Sequence, residues 1–140
     1  FSFAGRTTTE LYPGYAKFPI VSPDGETVAF YFMDAAADGL WKIGLVPSGG
    51  GELERKIEFP RSVESRRMAW HPKGNFIGQL FSDGSRIGLL LLPVDGGPAK
   101  EVLGLGTGTG TWFDWSPGGD ELLISTTQNT SDIVVLSPGK

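Results

Sequence analysis

The sequence of 140 residues lacks cysteine entirely and contains a single histidine, His71. A chain without cysteine has no disulfide, no thiolate metal site and no cysteine nucleophile. One histidine alone does not provide the ligand set of a zinc site, and no Asp-x-Asp-x-Asp loop for calcium is present. The sequence therefore predicts a protein with no metal site and no cofactor.

Charged residues and long apolar runs are also scarce. Charged residues make up 20% of the chain and the formal net charge is −4, with no basic stripe that would bind nucleic acid. The longest apolar stretch, around Leu89–Leu92, is far shorter than the roughly 20 residues that cross a bilayer. We therefore expect no nucleic-acid partner and no membrane span in this chain. Because the first residue is Phe1 rather than Met, we also expect that an N-terminal part has been removed.

Glycine and proline, in contrast, are abundant, with 21 and 10 residues. Proline fixes φ near −65° at the first central position of a turn, and glycine accepts the positive φ that follows. Three similar turn sequences start 49 and 45 residues apart, close to the roughly 40–45 residues of a four-stranded propeller blade. They are Ser22-Pro23-Asp24-Gly25, His71-Pro72-Lys73-Gly74 and Ser116-Pro117-Gly118-Gly119.

Strand-forming runs follow these turns in the same order each time. The second strand is expected over 27–33, 75–81 and 121–125, the third over 40–46, 86–92 and 132–136, and the fourth over 52–59 and 99–103. Short strands separated by turn residues are typical of all-β sandwiches, barrels and propellers, and the repeat length favours the propeller. We predict an all-β fold: a partial β-propeller of three four-stranded blades, in a single domain over 1–140.

The predicted blades cover approximately 18–59, 66–104 and 111–136, and residues 1–11 are expected to form an outer or closing strand. Propellers typically have four to eight blades, so three are too few for a complete ring. Two explanations are open. The chain is the C-terminal half of a longer protein, or two copies associate to complete six blades, as symmetric homodimers can.

The repeated pattern resembles that of the TolB-like β-propeller family. The resemblance rests on Val21–Gly25, Trp70–Gly74, Trp115–Gly119 and Asp95–Gly97, and it covers about residues 11–140. The closing segment Gln128–Leu136 is similar to the last blade of propellers fused to bacterial membrane serine/threonine kinases and to winged-helix regulators. The resemblance implies a propeller fold whose ring closes by joining the two chain ends. It implies little about activity, because such propellers occur in many unrelated proteins.

Candidate functional residues are few. His71 stands where the sister turns have Ser22 and Ser116, and no Gly-x-Ser-x-Gly elbow accompanies it, so we predict a structural role for it and no catalytic residue in this chain. Asp114 lies just before the third turn, at the position of Ile20 and Ala69 in the other repeats, and so belongs to the first strand of its predicted blade. First strands line the channel of a propeller, so Asp114 is a candidate channel residue; a solvated strand end is the alternative.

A binding surface is predicted from three further residues that precede equivalent turns in neighbouring blades. Arg66 and Arg67 precede one turn and Trp112 precedes the next. Tryptophan and arginine are favoured anchors of protein interfaces. We therefore predict a binding surface formed by Arg66, Arg67, Trp112 and Asp114. A core tryptophan beside two solvated arginines is the alternative.

Taken together, the residues and the resemblance predict a non-catalytic protein-interaction or sensory propeller module within a larger TolB-like protein. The expected partner is another protein, the missing blades or a second copy of the chain. The expected location is periplasmic or extracytoplasmic, with the cytoplasm left open because the lack of cysteine fits both. Two alternatives remain: the propeller portion of a peptidase or lyase whose catalytic residues lie outside this chain, and a half-propeller completed by homodimerisation.

Overall fold

The computed structural model describes residues 8–58, 67–82, 86–102, 105, 109–127 and 131–137. Within these ranges the chain forms eleven β-strands in three antiparallel sheets, and no described residue is helical. The chain divides into two compact units, Phe1–Glu58 and Phe59–Lys140. The all-β class and the three repeated sheets that the sequence predicts are thus confirmed.

The first unit contains one four-stranded sheet, the first sheet. Its strands are β1 (Ala16–Val21), β2 (Thr27–Met33), β3 (Trp41–Pro47) and β4 (Arg55–Ile57), hydrogen-bonded in that order. The fourth strand, expected over 52–59, is only three residues long. The three consecutive alanines at 35–37, a residue type that favours helix, form part of a turn between β2 and β3, because so short a run cannot nucleate a helix.

The second unit contains the second and third sheets. The second sheet orders β5 (Met68–Trp70), β6 (Phe76–Ser82), β7 (Ile87–Pro93) and β8 (Lys100–Val102). The third sheet consists of β9 (Thr109–Trp115), β10 (Leu122–Thr127) and β11 (Ser131–Leu136), and β10 is its central strand. Among the described residues the third sheet has no fourth strand.

The three proline-glycine turns adopt the same conformation. Gly25, Gly74 and Gly119 have φ values of 80°, 72° and 79°, in the left-handed region that favours glycine. The backbone N–H of each glycine donates a hydrogen bond to the carbonyl oxygen of the residue three positions earlier, with N···O distances of 2.8–2.9 Å. Because the three turns have the same conformation, residues at the same distance from the turn glycine lie on the same side of each sheet. The turn glycines therefore provide a common register for comparing the three sheets.

The second and third sheets pack face to face. Leu80, Ile87 and Leu89 of the second sheet form one buried cluster with Phe113, Leu122 and Ile124 of the third. Fully burying such side chains stabilises the fold by roughly 1.5–3 kcal/mol each. Gly78 permits the close approach, because a Cβ atom there would lie only 3.0 Å from Trp115 Cζ2.

His71 joins the turns of these two sheets. Its ring centroid lies 4.2 Å from that of Phe76 and 5.0 Å from that of Trp115. Its Nδ1 accepts a hydrogen bond from the backbone N–H of Lys73, and its Nε2 lies 3.2 Å from the carbonyl oxygen of Gly119. A carbonyl only accepts, so Nε2 carries the proton. The side chain is buried and acts as a packing and hydrogen-bonding link between the sheets.

The first sheet is covered on one face by the segment that precedes β1. Its core cluster of Val28, Phe30, Phe32 and Val46 packs against three partly buried side chains: Leu11, Tyr12 and Leu53. Of the outer or closing strand expected over 1–11, residues 1–7 lie outside the described residues, and residues 8–11 form no strand.

Candidate functional site

The residues predicted as a binding surface meet on the third sheet, with one exception. Arg66 lies outside the described residues. The guanidinium carbon of Arg67 lies 3.6 Å from the ring centroid of Trp112, a cation–π stack. Trp112 is 47% exposed, so it is not a core residue. Asp114, two residues further along β9, is exposed on the same side of the strand.

Residues of the neighbouring strands extend this surface. In the strand pairing, Asp114 is opposite Leu123, which is opposite Val135, and Ser125 is opposite both Trp112 and Ile133. Directly opposed residues of antiparallel strands point to the same side of a sheet. We call this side the open face; it consists of Trp112, Asp114, Leu123, Ser125, Ile133 and Val135.

The open face leaves large apolar side chains in contact with solvent. Leu123 is 43% exposed, Val135 61% and Ile133 77%. Isolated exposed apolar residues are common on protein surfaces, but a contiguous apolar patch is typical of an interaction site. No sequence motif marks these three residues.

The same repeat positions are buried in the other two sheets, except that Leu91 is only partly buried. Counting four residues from each turn glycine gives Ala29, Gly78 and Leu123, whose partners on the next strand are Leu45, Leu91 and Val135. Two residues further along the second strand of each sheet, the opposed pairs are Tyr31 with Ile43, Leu80 with Leu89, and Ser125 with Ile133. Leu89 is only 2% exposed, because the third sheet packs on it, and Ile43 is completely buried.

This comparison identifies the open face as a sheet-packing face without its neighbour. In the second sheet the equivalent face is covered by Phe113, Leu122 and Ile124. The open face of the third sheet has the same apolar character on β10 and β11 but no such cover among the described residues.

A second exposed aromatic cluster lies in the first unit. The ring centroids of Tyr15 and Trp41 are 5.6 Å apart. The ammonium of Lys17 lies 4.8 Å from the Tyr15 centroid and 5.3 Å from the Trp41 centroid. Next to Lys17, Phe18 has a φ of +53° where the pairing of β1 with β2 shifts register. These contacts depend on the pairing of β1, β2 and β3, and no sequence motif marks them.

A buried charge cluster lies at the end of the first sheet where β2 meets β3. Asp34 Oδ2 is 2.8 Å from Lys56 Nζ and 3.6 Å from Lys42 Nζ. Lys42 Nζ is also 3.1 Å from Asp38 and 3.2 Å from Glu58. The hydrogen bond from Lys56 lowers the pKa of Asp34, and the hydrogen bond to Asp38 raises the pKa of Lys42. Because each buried charge is paired, the cluster anchors the 34–40 loop.

In the described parts of the chain, no group of three or more histidine, aspartate or glutamate side chains is placed to hold a metal ion. In the same residues, no helix has the length and apolar character needed to cross a membrane.

Comparison with known proteins gives similarity to solved structures alone. No protein-family model matches the chain, and no curated protein matches it. The structure of a protein described as TolB, from Agrobacterium tumefaciens, aligns with a TM-score of 0.67 and 22% identity over 89% of this chain. A TolB structure from Acinetobacter baumannii aligns with a TM-score of 0.69 and 18% identity over 94% of this chain. A protein described as a 6-phosphogluconolactonase, from Bacteroides uniformis, aligns with a TM-score of 0.55 and 14% identity over 89% of this chain.

The chain spans less than half the length of each of these structures: 44% and 32% of the two TolB chains and 37% of the third. At such identities the likeness shows the fold alone. The resemblance of Gln128–Leu136 to kinase- and regulator-linked propellers stays a prediction, and residues 128–130 lie outside the described residues. The three sheets of this chain have the fold of part of a TolB-like β-propeller.

Proposed function

We propose that this chain is a non-catalytic protein-interaction module of a larger TolB-like propeller, and that the open face is where its partner binds. The observation that carries the proposal is the exposure of Leu123, Ile133 and Val135 at positions that are buried in both other sheets, apart from the partly buried Leu91. The partner of matching chemistry is a further β-sheet blade. It would present apolar side chains like those of Phe113, Leu122 and Ile124, which cover the equivalent face of the second sheet.

The edge of the open face adds specificity to this apolar surface. Arg67, stacked on Trp112, provides a positive charge, and the exposed carboxylate of Asp114 provides a negative charge on the same face. Charged groups around an apolar centre select the correct partner and fix its register more than they add affinity. The short span of the chain on the TolB structures also supports a partner made of further blades.

The location and the alternatives belong to the same proposal. We place the module in the periplasm or elsewhere outside the cytoplasm, as the TolB resemblance implies, and a cytoplasmic location stays open. The structural likeness to the protein described as a 6-phosphogluconolactonase favours one alternative, the propeller portion of an enzyme whose catalytic residues lie outside this chain. Completion of the ring by a second copy is the other alternative.

The proposal is tested by placing charges on the open face. We expect the chain to associate reversibly with rising concentration and to bind an apolar fluorescent dye, because the exposed face is removed from water in both cases. The variant Ile133→Lys/Val135→Lys should stay monomeric in light scattering and lose most of the dye signal. The control Val21→Lys/Leu40→Lys changes two equally exposed apolar residues of the first unit and should behave like the parent. A parent chain that stays monomeric and binds no dye would refute the proposal.

A further inference from the structure

The first sheet has a face that corresponds to the packing face of the third sheet. Val28 and Phe30 stand at the repeat positions of Leu122 and Ile124, three and five residues after the turn glycine. In the third sheet, Leu122 and Ile124 pack against Leu80, Ile87 and Leu89 of the preceding sheet. In the first sheet, Val28 and Phe30 are equally buried, but the described residues that cover their cluster are Leu11, Tyr12 and Leu53.

The segment before each sheet explains the difference. Leu105 stands 17 residues before Leu122, and Leu11 stands 17 residues before Val28, so the two leucines occupy equivalent positions. Leu105 packs at the edge of the cluster between the second and third sheets, and its N–H donates to the carbonyl of Ile87. A leucine at this position is therefore a normal part of the packing between two sheets.

The following residue is where the two segments diverge. In the sequence, Gly106 follows Leu105, whereas Tyr12 follows Leu11. The Tyr12 ring lies 5.1 Å from the ring of Phe30 and 5.5 Å from that of Phe32, both centroid to centroid, in tilted and edge-on arrangements. Such aromatic contacts contribute roughly 0.5–1.5 kcal/mol each beyond the area they bury. Tyr12 thus covers the surface on which a neighbouring sheet would otherwise pack.

We propose that residues 8–14 are a removable cap on a second docking face of this module, and that Tyr12 is its plug. The covered face is Val28, Phe30, Phe32 and Val46. Its occupant after release of the cap is the open face of a second copy of this chain, because the open face is the kind of surface that Leu122 and Ile124 pack on within the chain. This inference rests on the proposed function of the open face. With the cap in place, the open face stays available for docking and the covered face does not.

The cap is tested by mixing a variant with the parent chain, so that the two can associate only through the covered face of the variant and the open face of the parent chain. The first carries Tyr12→Ser with Ile133→Lys/Val135→Lys, so its cap is loosened and its own open face is blocked. The second is the parent chain, diluted until it is monomeric. We expect a one-to-one complex in light scattering when they are mixed. The matched control is the Ile133→Lys/Val135→Lys variant with Tyr12 intact, which should give no complex. Tyr12→Phe in the blocked background should also give none, since the ring is retained.

Three results would each refute a different claim: the cap, the covered docking face or the proposed function. If capped and uncapped variants bind the parent chain equally, the segment is not a barrier and the cap is refuted. If neither binds, while the parent chain still self-associates through the open face, the covered face is not a docking face and the proposed function stands. If the parent chain shows no association and no dye binding, the proposed function itself fails.

Folding of the uncapped variant is checked by circular dichroism before mixing. If Tyr12→Ser prevents folding, Tyr12→Gly provides a second test, because glycine is the residue at the equivalent position 106. Leu11→Ala provides a third, since it loosens the same segment from the same cluster. A folded Tyr12→Gly or Leu11→Ala chain that forms no complex would refute the cap.

Discussion

Among the described residues, the buried amide of Gln79 has no hydrogen-bond partner, and its replacement by methionine should stabilise the protein. Gln79 lies in the middle of β6 and is completely buried, and neither its Oε1 nor its Nε2 has a partner in the described part of the chain. The equivalent residues of the other sheets are apolar: Phe30 and Ile124. Burying an amide without compensation costs about 1–3 kcal/mol in proteins.

Methionine has nearly the shape of glutamine and carries no strong hydrogen-bonding group. Gln79→Met should therefore recover most of that cost, raising the free energy of unfolding by about 1–3 kcal/mol. For a chain of this size, each kcal/mol moves the thermal midpoint by roughly 4 °C, so an increase of roughly 4–12 °C is expected. Gln79→Glu should act in the opposite direction, because a buried carboxylate without a partner costs more than an amide.

Thermal and denaturant unfolding, followed by circular dichroism, measures both changes. Leu90→Met is the matched control, because Leu90 is directly opposite Gln79 on β7 and is buried. An exchange of leucine for methionine in a core usually costs less than about 1.5 kcal/mol. If Gln79→Met lost more than about 1 kcal/mol while Leu90→Met stayed near the parent, the amide would be hydrogen-bonded, and the reasoning would be wrong.

Two further predictions concern links that the structure shows. His71→Ser restores the residue of the sister turns but removes the ring that packs on Phe76 and Trp115, together with its hydrogen bond to Gly119. Denaturant unfolding should therefore show a loss of about 1–3 kcal/mol in the free energy of unfolding. A gain in stability would contradict the linking role of His71. Because Lys56 lowers the pKa of Asp34, the stabilisation from Asp34 is fully present above the ordinary carboxyl pKa near 4 and is lost as the pH falls through the lowered value. The unfolding midpoints of the parent chain and Asp34→Asn should thus differ at neutral pH and converge in acid, and a constant difference would contradict it.

The repeated turns and strands could be predicted from the sequence because their causes are local. A proline followed by a glycine sets the dihedral angles of each turn, and alternation of apolar residues sets the strands. The second strand expected over 27–33 is β2 as observed. The fourth strands are shorter than expected, because edge pairing depends on the partner strand rather than on local preference.

The candidate site was predictable only in part. Arg67 and Trp112 precede equivalent turns, which predicts that they lie close together, and their stacking follows from the adjacency of β5 and β9. The exposure of Ile133 and Val135 was not predictable, because their pattern is the same as that of buried strands. Whether such residues are exposed depends on the presence of a neighbouring sheet, which the pattern of one strand does not encode. The pairing of Asp34 with Lys42 and Lys56 likewise requires the register of three strands.

The length of β11 has a consequence for the behaviour of the isolated chain in storage. The strands β4 and β8, at the corresponding edges of the first two sheets, are three residues long, whereas β11 has six residues and is an outer strand of its sheet. Long edge strands rich in β-branched residues are templates for intermolecular strand addition, and natural proteins commonly interrupt them with charge. Ile133, Val134 and Val135 form an uncharged run on this edge. The strand β11, which carries two of the six residues of the open face, is therefore also an aggregation-prone edge of the third sheet.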